Sequence, residues 1–193
     1  MTTVLYVLAG IVVIIIILAT IAPKSYDVNR KILVKKPVPE VFEYLKYLKN
    51  QDNWSPWGKR DPNMKKEFEG DDGEIGATSK WEGNKDVGSG EQEIKRIVEN
   101  EVIESELRFL KPWKSQSDAY LRVKEVGAYE TEITWGCSGN NKLPFRLMRL
   151  FRNMDKAVGK EFEEGVASLR DIVENNGALW IAIWWDGAKC QLT

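Results

Sequence analysis

The alternation of hydrophobic and polar positions divides the chain into segments of different period. Val4 to Ala22 reads VLYVLAGIVVIIIILATIA, without one charged side chain. At about 1.5 Å per residue this run covers roughly the 30 Å of a hydrocarbon core, so residues 1–23 are expected to form a transmembrane anchor that meets the membrane through residues 4–22. A cleaved leader is the rival, with Thr20 and Ala22 at its small-residue positions. Pro23 after such a cut, and the lack of a basic residue before the apolar run, favour an uncleaved anchor. The following flank carries Lys24, Arg30, Lys31, Lys35 and Lys36 against Asp27 alone. By the positive-inside rule this predicts a single-pass membrane protein with its main domain in the cytoplasm.

Beyond the anchor the period shortens to two. Val28, Ile32 and Val34 mark a strand over 26–36, ended by Pro37 and Pro39. A short helix starting on Pro39 follows, with Val41, Leu45 and Leu48 on one face. Strands are then predicted near Lys65–Glu69, Ala77–Glu82, Glu91–Val98, Val102–Leu110, Asp118–Val126 and Thr131–Ser138. One face carries Ile103, Ser105, Leu107 and Phe109, then Ala119, Leu121 and Val123, then Thr131, Ile133, Trp135 and Cys137. The linkers are short and rich in Gly and Asn, which makes them hairpins and the sheet antiparallel. The last element changes period again. Leu143, Leu147, Phe151, Met154, Val158, Phe162, Val166, Leu169 and Val173 are three or four apart, a long amphipathic helix of about eight turns, stopped at Asn175-Asn176-Gly177.

This order predicts an α+β fold, with a curved antiparallel sheet of about seven strands wrapped around a long C-terminal helix. The concave sheet face and the apolar helix face would enclose a space lined by large aromatic residues. Residues 176–193, which include the all-apolar run LWIAIWW at 179–185, form a Trp-rich tail: an added strand, a plug over the cavity, an interfacial anchor, or a terminus without a function.

Composition narrows the chemistry. The 28 basic and 29 acidic residues give a net charge of -1, which argues against nucleic acid as a partner. Histidine is absent, which excludes Ser-His-Asp and Cys-His catalysis and every His-containing metal site. The only cysteines, Cys137 and Cys190, are too few for a disulfide framework or an all-cysteine metal site. No metal, cofactor or catalytic residue is assigned. Gly70, Gly73, Gly76, Gly83, Gly88 and Gly90 read as hairpin turns, and Asp71-Asp72-Gly73-Glu74 as a turn lacking calcium-loop spacing.

The ordered set WSPW at 54–57, Asp61-Pro62, WEGN at 81–84, Gly88-Ser-Gly90, FLKP at 109–112, TWGCSG at 134–139, Asn153-Met-Asp-Lys156 and GKEFEEG at 159–165 resembles the START-like superfamily. This group is also called SRPBCC and includes the birch-pollen-allergen fold. Within it the chain is most similar to a membrane-anchored bacterial branch of the polyketide cyclase/dehydrase-like group. The resemblance spans roughly 25–174, within a START-like ligand-binding domain at 24–175. It implies a helix-grip fold with a hydrophobic cavity that binds lipids, sterols, polyketides or other apolar molecules. A minority of such proteins catalyse cyclisation or dehydration.

Trp54, Trp57, Trp81, Trp113 and Trp135 are the candidate cavity walls, against ordinary core packing. The expected ligand-binding set is Trp57, Trp81, Trp135, Met154, Val158 and Phe162. Gly159 and Gly165 inside the long helix leave room either for a ligand or for close packing. Cys137 reads as a small buried hydrophobe. Met148 and Met154 read first as core. Arg146, Arg149, Arg152 and Lys156 form a basic stripe that is either a solvated face or a contact for lipid headgroups. The leading expectation is membrane-anchored binding of a hydrophobic small molecule or lipid. An enzyme of the cyclase/dehydrase type would need an inward carboxylate, with Glu82, Glu91, Glu93 and Glu104 as candidates. A protein-interaction module would show a filled core and an exposed apolar patch.

Overall fold

The computed structural model describes residues 2–140 and 154–175, apart from the side chains of Thr2 and Leu5. Helix α1 covers Thr2–Ile21. It carries no charge and leaves its aliphatic side chains exposed, among them Val7, Ile11, Ile14 and Ile17. Among the described residues no helix is long and apolar enough to cross a membrane.

Strand β1 (Ser25–Val34) follows. Pro37 in extended backbone precedes helix α2 (Val38–Leu45), which has a proline in its first turn, where the missing N–H costs nothing. Helix α2 buries Val41, Phe42 and Leu45. A 3-10 turn at Leu48–Asn50 and two short helices, α3 (Gln51–Trp54) and α4 (Pro56–Arg60), complete the segment. The Asp72 carboxylate accepts the backbone N–H groups of Leu48 and Lys49. The acidic turn at 71–74 therefore caps the 3-10 turn.

Six strands run on through hairpins: β2 (Lys65–Glu69), β3 (Thr78–Glu82), β4 (Ser89–Val98), β5 (Val102–Lys111), β6 (Ser115–Gly127) and β7 (Glu130–Asn140). Their order is β1-β7-β6-β5-β4-β3-β2, and every pairing is antiparallel. Register shifts at Ser89/Gly90, Ile94/Arg96 and Glu125/Gly127 bend the strands and curve the sheet.

Helix α5 (Met154–Asn175) lies in the concavity. The expected segment 143–153 of this helix, with Met148, Arg146, Arg149 and Arg152, lies outside the described residues, as does the tail at 176–193. The inward periodicity holds: Ile103, Leu121, Val123, Ile133 and Trp135 from the sheet meet Phe162, Val166, Leu169 and Val173 from α5 in one core. Thr131, also inward and fully buried, satisfies its hydroxyl by donating to the Lys36 carbonyl at 2.7 Å.

Arg30 breaks that periodicity, a charge at an inward position between Val28 and Ile32. Its Nε donates to Glu163 at 2.8 Å and its NH1 to Asp155 at 2.7 Å, which ties β1 to α5. A Cβ on Gly159 would stand 2.3 Å from its NH2. Gly159 therefore makes room for the arginine and not for a ligand. The hydrogen bond from Arg30 holds the Asp155 carboxyl below its usual range. A lowered folded value gives stabilisation present above the unfolded value, near 3.8, and lost as pH falls through the folded value. Asp155→Ala should therefore lower the urea midpoint at neutral pH, and its gap from wild type should close as the pH falls below 3.8 and through the lowered folded value. A gap that persists there would place the effect in packing.

Candidate functional site

Trp135 organises the inner face of the sheet. Its ring lies 4.2 Å from Phe162 at a tilt of 39°. Trp54 meets it edge-on at 4.7 Å and Trp57 at 5.4 Å. Trp57 also meets Phe162 edge-on at 5.7 Å. Such edge-to-face contacts place the positive ring edge on the negative ring face. A Cβ on Gly165 would stand 2.4 Å from Trp135 and 3.3 Å from Pro56, so the absent side chain is what lets α5 close on the indole.

On the far side of this cluster the core stops filling. A cavity of about 350 Å³ opens between sheet, α5 and the α3–α4 segment, within the size range of small-molecule sites. Its sheet wall is set by register. Trp81 lies opposite Gly90, and Gly90 opposite Phe109. Trp81 and Phe109 approach edge-to-face at 5.9 Å across the glycine. Leu107, Ala119 and Cys137 continue the wall, Met154, Val158 and Phe162 come from α5, and Trp57 and Met64 close one end.

All six expected residues, Trp57, Trp81, Trp135, Met154, Val158 and Phe162, thus line one cavity. The wider tryptophan set divides. Trp54 is buried behind Trp135 and outside the lining, with its indole N–H unpaired among the described residues. Trp113 is 70% exposed at the β5–β6 hairpin, so it is neither a cavity wall nor core packing.

Polar groups are few and placed at particular points. The Tyr26 hydroxyl and Ser117 Oγ share a hydrogen bond of 2.6 Å. Burial pushes the Cys137 thiol up against hydrogen bonds to these two hydroxyls. It stays a thiol at neutral pH, a small wall residue and not a nucleophile. Ser79 and Gln92 face each other across β3 and β4. Both line the cavity, and no other described residue hydrogen-bonds their side chains. Lys66 and Asp52 form an ion pair in the lining. The sequence contained a signal for Ser79 and Gln92: they share inward parity with Trp81 and Ile94, so they are polar residues on an apolar face.

The four glutamates proposed as inward acids do not reach the cavity. Glu91 and Glu93, with Glu106, surround the Arg108 guanidinium across β4 and β5. Glu104 pairs with Arg96, and Glu82 with Lys111. Hydrogen bonds from Lys95 and then Arg108 hold Glu93 below the ordinary carboxylate range, and the three carboxylates hold Arg108 protonated. Arg108→Met should therefore destabilise the protein at neutral pH by leaving like charges adjacent. The loss should shrink in high salt, and as the pH falls through the lowered value of Glu93; denaturation at neutral and acid pH checks this. Asp52 and Asp86 are the carboxylates in the lining among the described residues.

No family model matches the chain, and no curated protein matches its sequence. Solved structures do match. The Aha1 dimer of Colwellia psychrerythraea superposes with a TM-score of 0.54 at 14% identity, over 78% of this chain and 97% of that one. A norcoclaurine synthase mutant of Thalictrum, in complex with a transition-state analogue, gives 0.56 at 9%, over 77% and 94%. The ZhuI aromatase/cyclase of a Streptomyces species gives 0.53 at 12%, over 79% and 95%. At such identities the likeness is one of fold. The chain has a helix-grip fold, the fold it shares with these structures.

Proposed function

We propose that the protein binds a hydrophobic small molecule or lipid in the cavity between sheet and α5, and does so while tethered to a membrane by α1. One observation carries the binding reading: the 350 Å³ cavity walled by Trp57, Trp81, Phe109, Trp135 and Phe162. Core packing normally leaves few voids larger than a water molecule. Burial of an apolar ligand at about 25 cal/mol per Å² would supply affinity. Ser79 and Gln92, half-buried polar side chains on this apolar wall, would orient its polar group. A protein-interaction module would have shown a filled core here.

Support for the tether comes from α1: its 20 residues extend about 30 Å with no charge among them. The basic flank from Lys24 to Lys36 favours the cytoplasmic side for the main domain. The full chain should float with membranes and resist carbonate, and a chain lacking residues 1–22 should not; equal behaviour of the two would remove the tether.

The binding reading is tested by native mass spectrometry of detergent-free protein, followed by organic extraction. Wild type should retain an apolar molecule. Ala119→Leu, which extends a wall residue into the cavity, should lose it while remaining folded. A clean apo mass that persists after incubation with lipid extract would overturn the reading. A cyclase- or dehydrase-like activity is the second reading, favoured by the Asp52–Lys66 pair in the lining. It requires that Asp52→Asn abolish turnover of the retained molecule without releasing it.

A further inference from the structure

We infer that the β5–β6 hairpin, tipped by Trp113, docks on the surface of an anionic lipid bilayer and holds the cavity's end of the sheet against it. This rests on the tether reading above.

The first ground is topological. Strand β1 begins at Ser25, four residues past the end of α1 at Ile21, a reach of at most about 14 Å. Ser25 pairs with Asn140 at the end of β7. Next to β7, β6 starts at Ser115, and Phe109 of β5 lies opposite it. Lys111 then lies opposite Ser89, and Ser89 opposite Glu82. The hairpin at 111–115 and the β3–β4 turn at 83–88 therefore share the sheet end from which α1 leaves. A chain tethered by α1 brings that end to the bilayer first.

The second ground is chemical. Trp113 is 70% exposed and Leu110 49%, and among the described residues Trp113 makes no hydrogen bond or ring contact. An indole presents an apolar body and one N–H, the combination that favours the headgroup level of a membrane. Lys111 and Lys114 flank it, and Lys24 and Lys85 stand at the same end. Glu82 and Asp86 are there too. Glu82 meets Lys111 at 3.2 Å with both side chains well exposed, a pair that screening weakens. Asp86 lines the cavity. A lone tryptophan between lysines lacks the contiguous apolar patch of a protein interface and suits a surface of acyl chains under anionic headgroups.

The third ground is the cavity. Tyr26, Trp81, Val87, Phe109 and Ser117, all near this sheet end, belong to its lining. Docking would let an apolar molecule pass between bilayer and cavity with little exposure to water.

The test uses the full chain in vesicles of phosphatidylcholine and phosphatidylglycerol brominated on the acyl chains. The emission lost on Trp113→Phe is compared with that gained on Tyr129→Trp. Tyr129 is 75% exposed at the β6–β7 turn, at the opposite sheet end. Docking requires that bromine quench the Trp113 component several-fold more than the component gained on Tyr129→Trp, and that Lys111→Glu with Lys114→Glu remove most of the difference. Equal quenching in a chain that floats with the vesicles overturns the docking and leaves the tether standing. A chain that does not float overturns both.

Discussion

Trp135→Ala is expected to lower stability by about 3–5 kcal/mol and to abolish ligand retention. The indole is 7% exposed and contacts Trp54, Trp57 and Phe162 at once. Its removal leaves those rings facing a void that the sheet cannot collapse to fill, and it joins the void to the ligand cavity. Domains of this size have a total stability of only about 5–15 kcal/mol, so the variant should unfold at much lower urea. The contact can also be probed from the helix. Gly165→Ala places a Cβ 2.4 Å from the ring. The overpacking should outweigh the roughly 1 kcal/mol gained in helix propensity. In the Trp135→Ala background the collision with the ring is gone, and the 3.3 Å approach to Pro56 is the tight contact that remains. Gly165→Ala should then stabilise by up to about 1 kcal/mol, as Pro56 gives way. A change of sign between the two backgrounds, read from urea midpoints, establishes the contact; the same sign in both would refute it.

Gly90→Val is the second large effect. A Cβ at Gly90 would lie 2.5 Å from the Arg108 carbonyl oxygen and 2.6 Å from the Trp81 ring. The first neighbour is the backbone of the adjoining strand and cannot turn away. The second is a cavity wall. The substitution should cost about 3 kcal/mol or more, since it separates β4 from β5 at the register shift. At temperatures where the variant is still folded, ligand affinity should fall at least about tenfold, because the displaced indole occupies or opens the cavity. Valine has good β propensity, so a loss at this strand position cannot come from the residue type alone. Gly58→Val is the comparison for a generic glycine effect. There the nearest atom to a Cβ is Lys66 Nζ at 3.9 Å, and the cost should be far smaller. Comparable losses at the two sites would rule out the Trp81 seat as the cause.

Both effects concern glycines under tryptophans, a relation between residues far apart in the chain. The sequence contained the glycines as an oddity: two sit inside a helix that would gain from alanine. It could not show that Gly165 accommodates an indole while Gly159 accommodates the Arg30 guanidinium. The two pairings depend on which β1 and β7 residues lie beneath each helical turn. Nor could composition separate the tryptophans. Trp54 is sealed in the core, Trp57 faces the cavity and Trp113 faces outward. Residues 54 and 57 differ because the chain breaks at Ser55, so that α3 and α4 present different sides. Trp113 lies in a hairpin turn, where period two no longer applies.

The sequence by itself determined the elements, their order and which face of each is buried. Period two and period 3.6 record how often a side chain returns to the apolar side, and that is a local property of the backbone. From it came the seven strands, the inward rows through Ile103, Leu121 and Ile133, and the apolar stripe of α5. The tertiary structure alone decided where that inward face is packed and where it is left open. Val166, Leu169 and Val173 belong to the packed core, whereas Met154, Val158 and Phe162, on the same stripe, border a cavity. The difference is one of distance between layers, set by sheet curvature and by the segment from Leu48 to Met64. A pattern of apolar positions carries no measure of that distance.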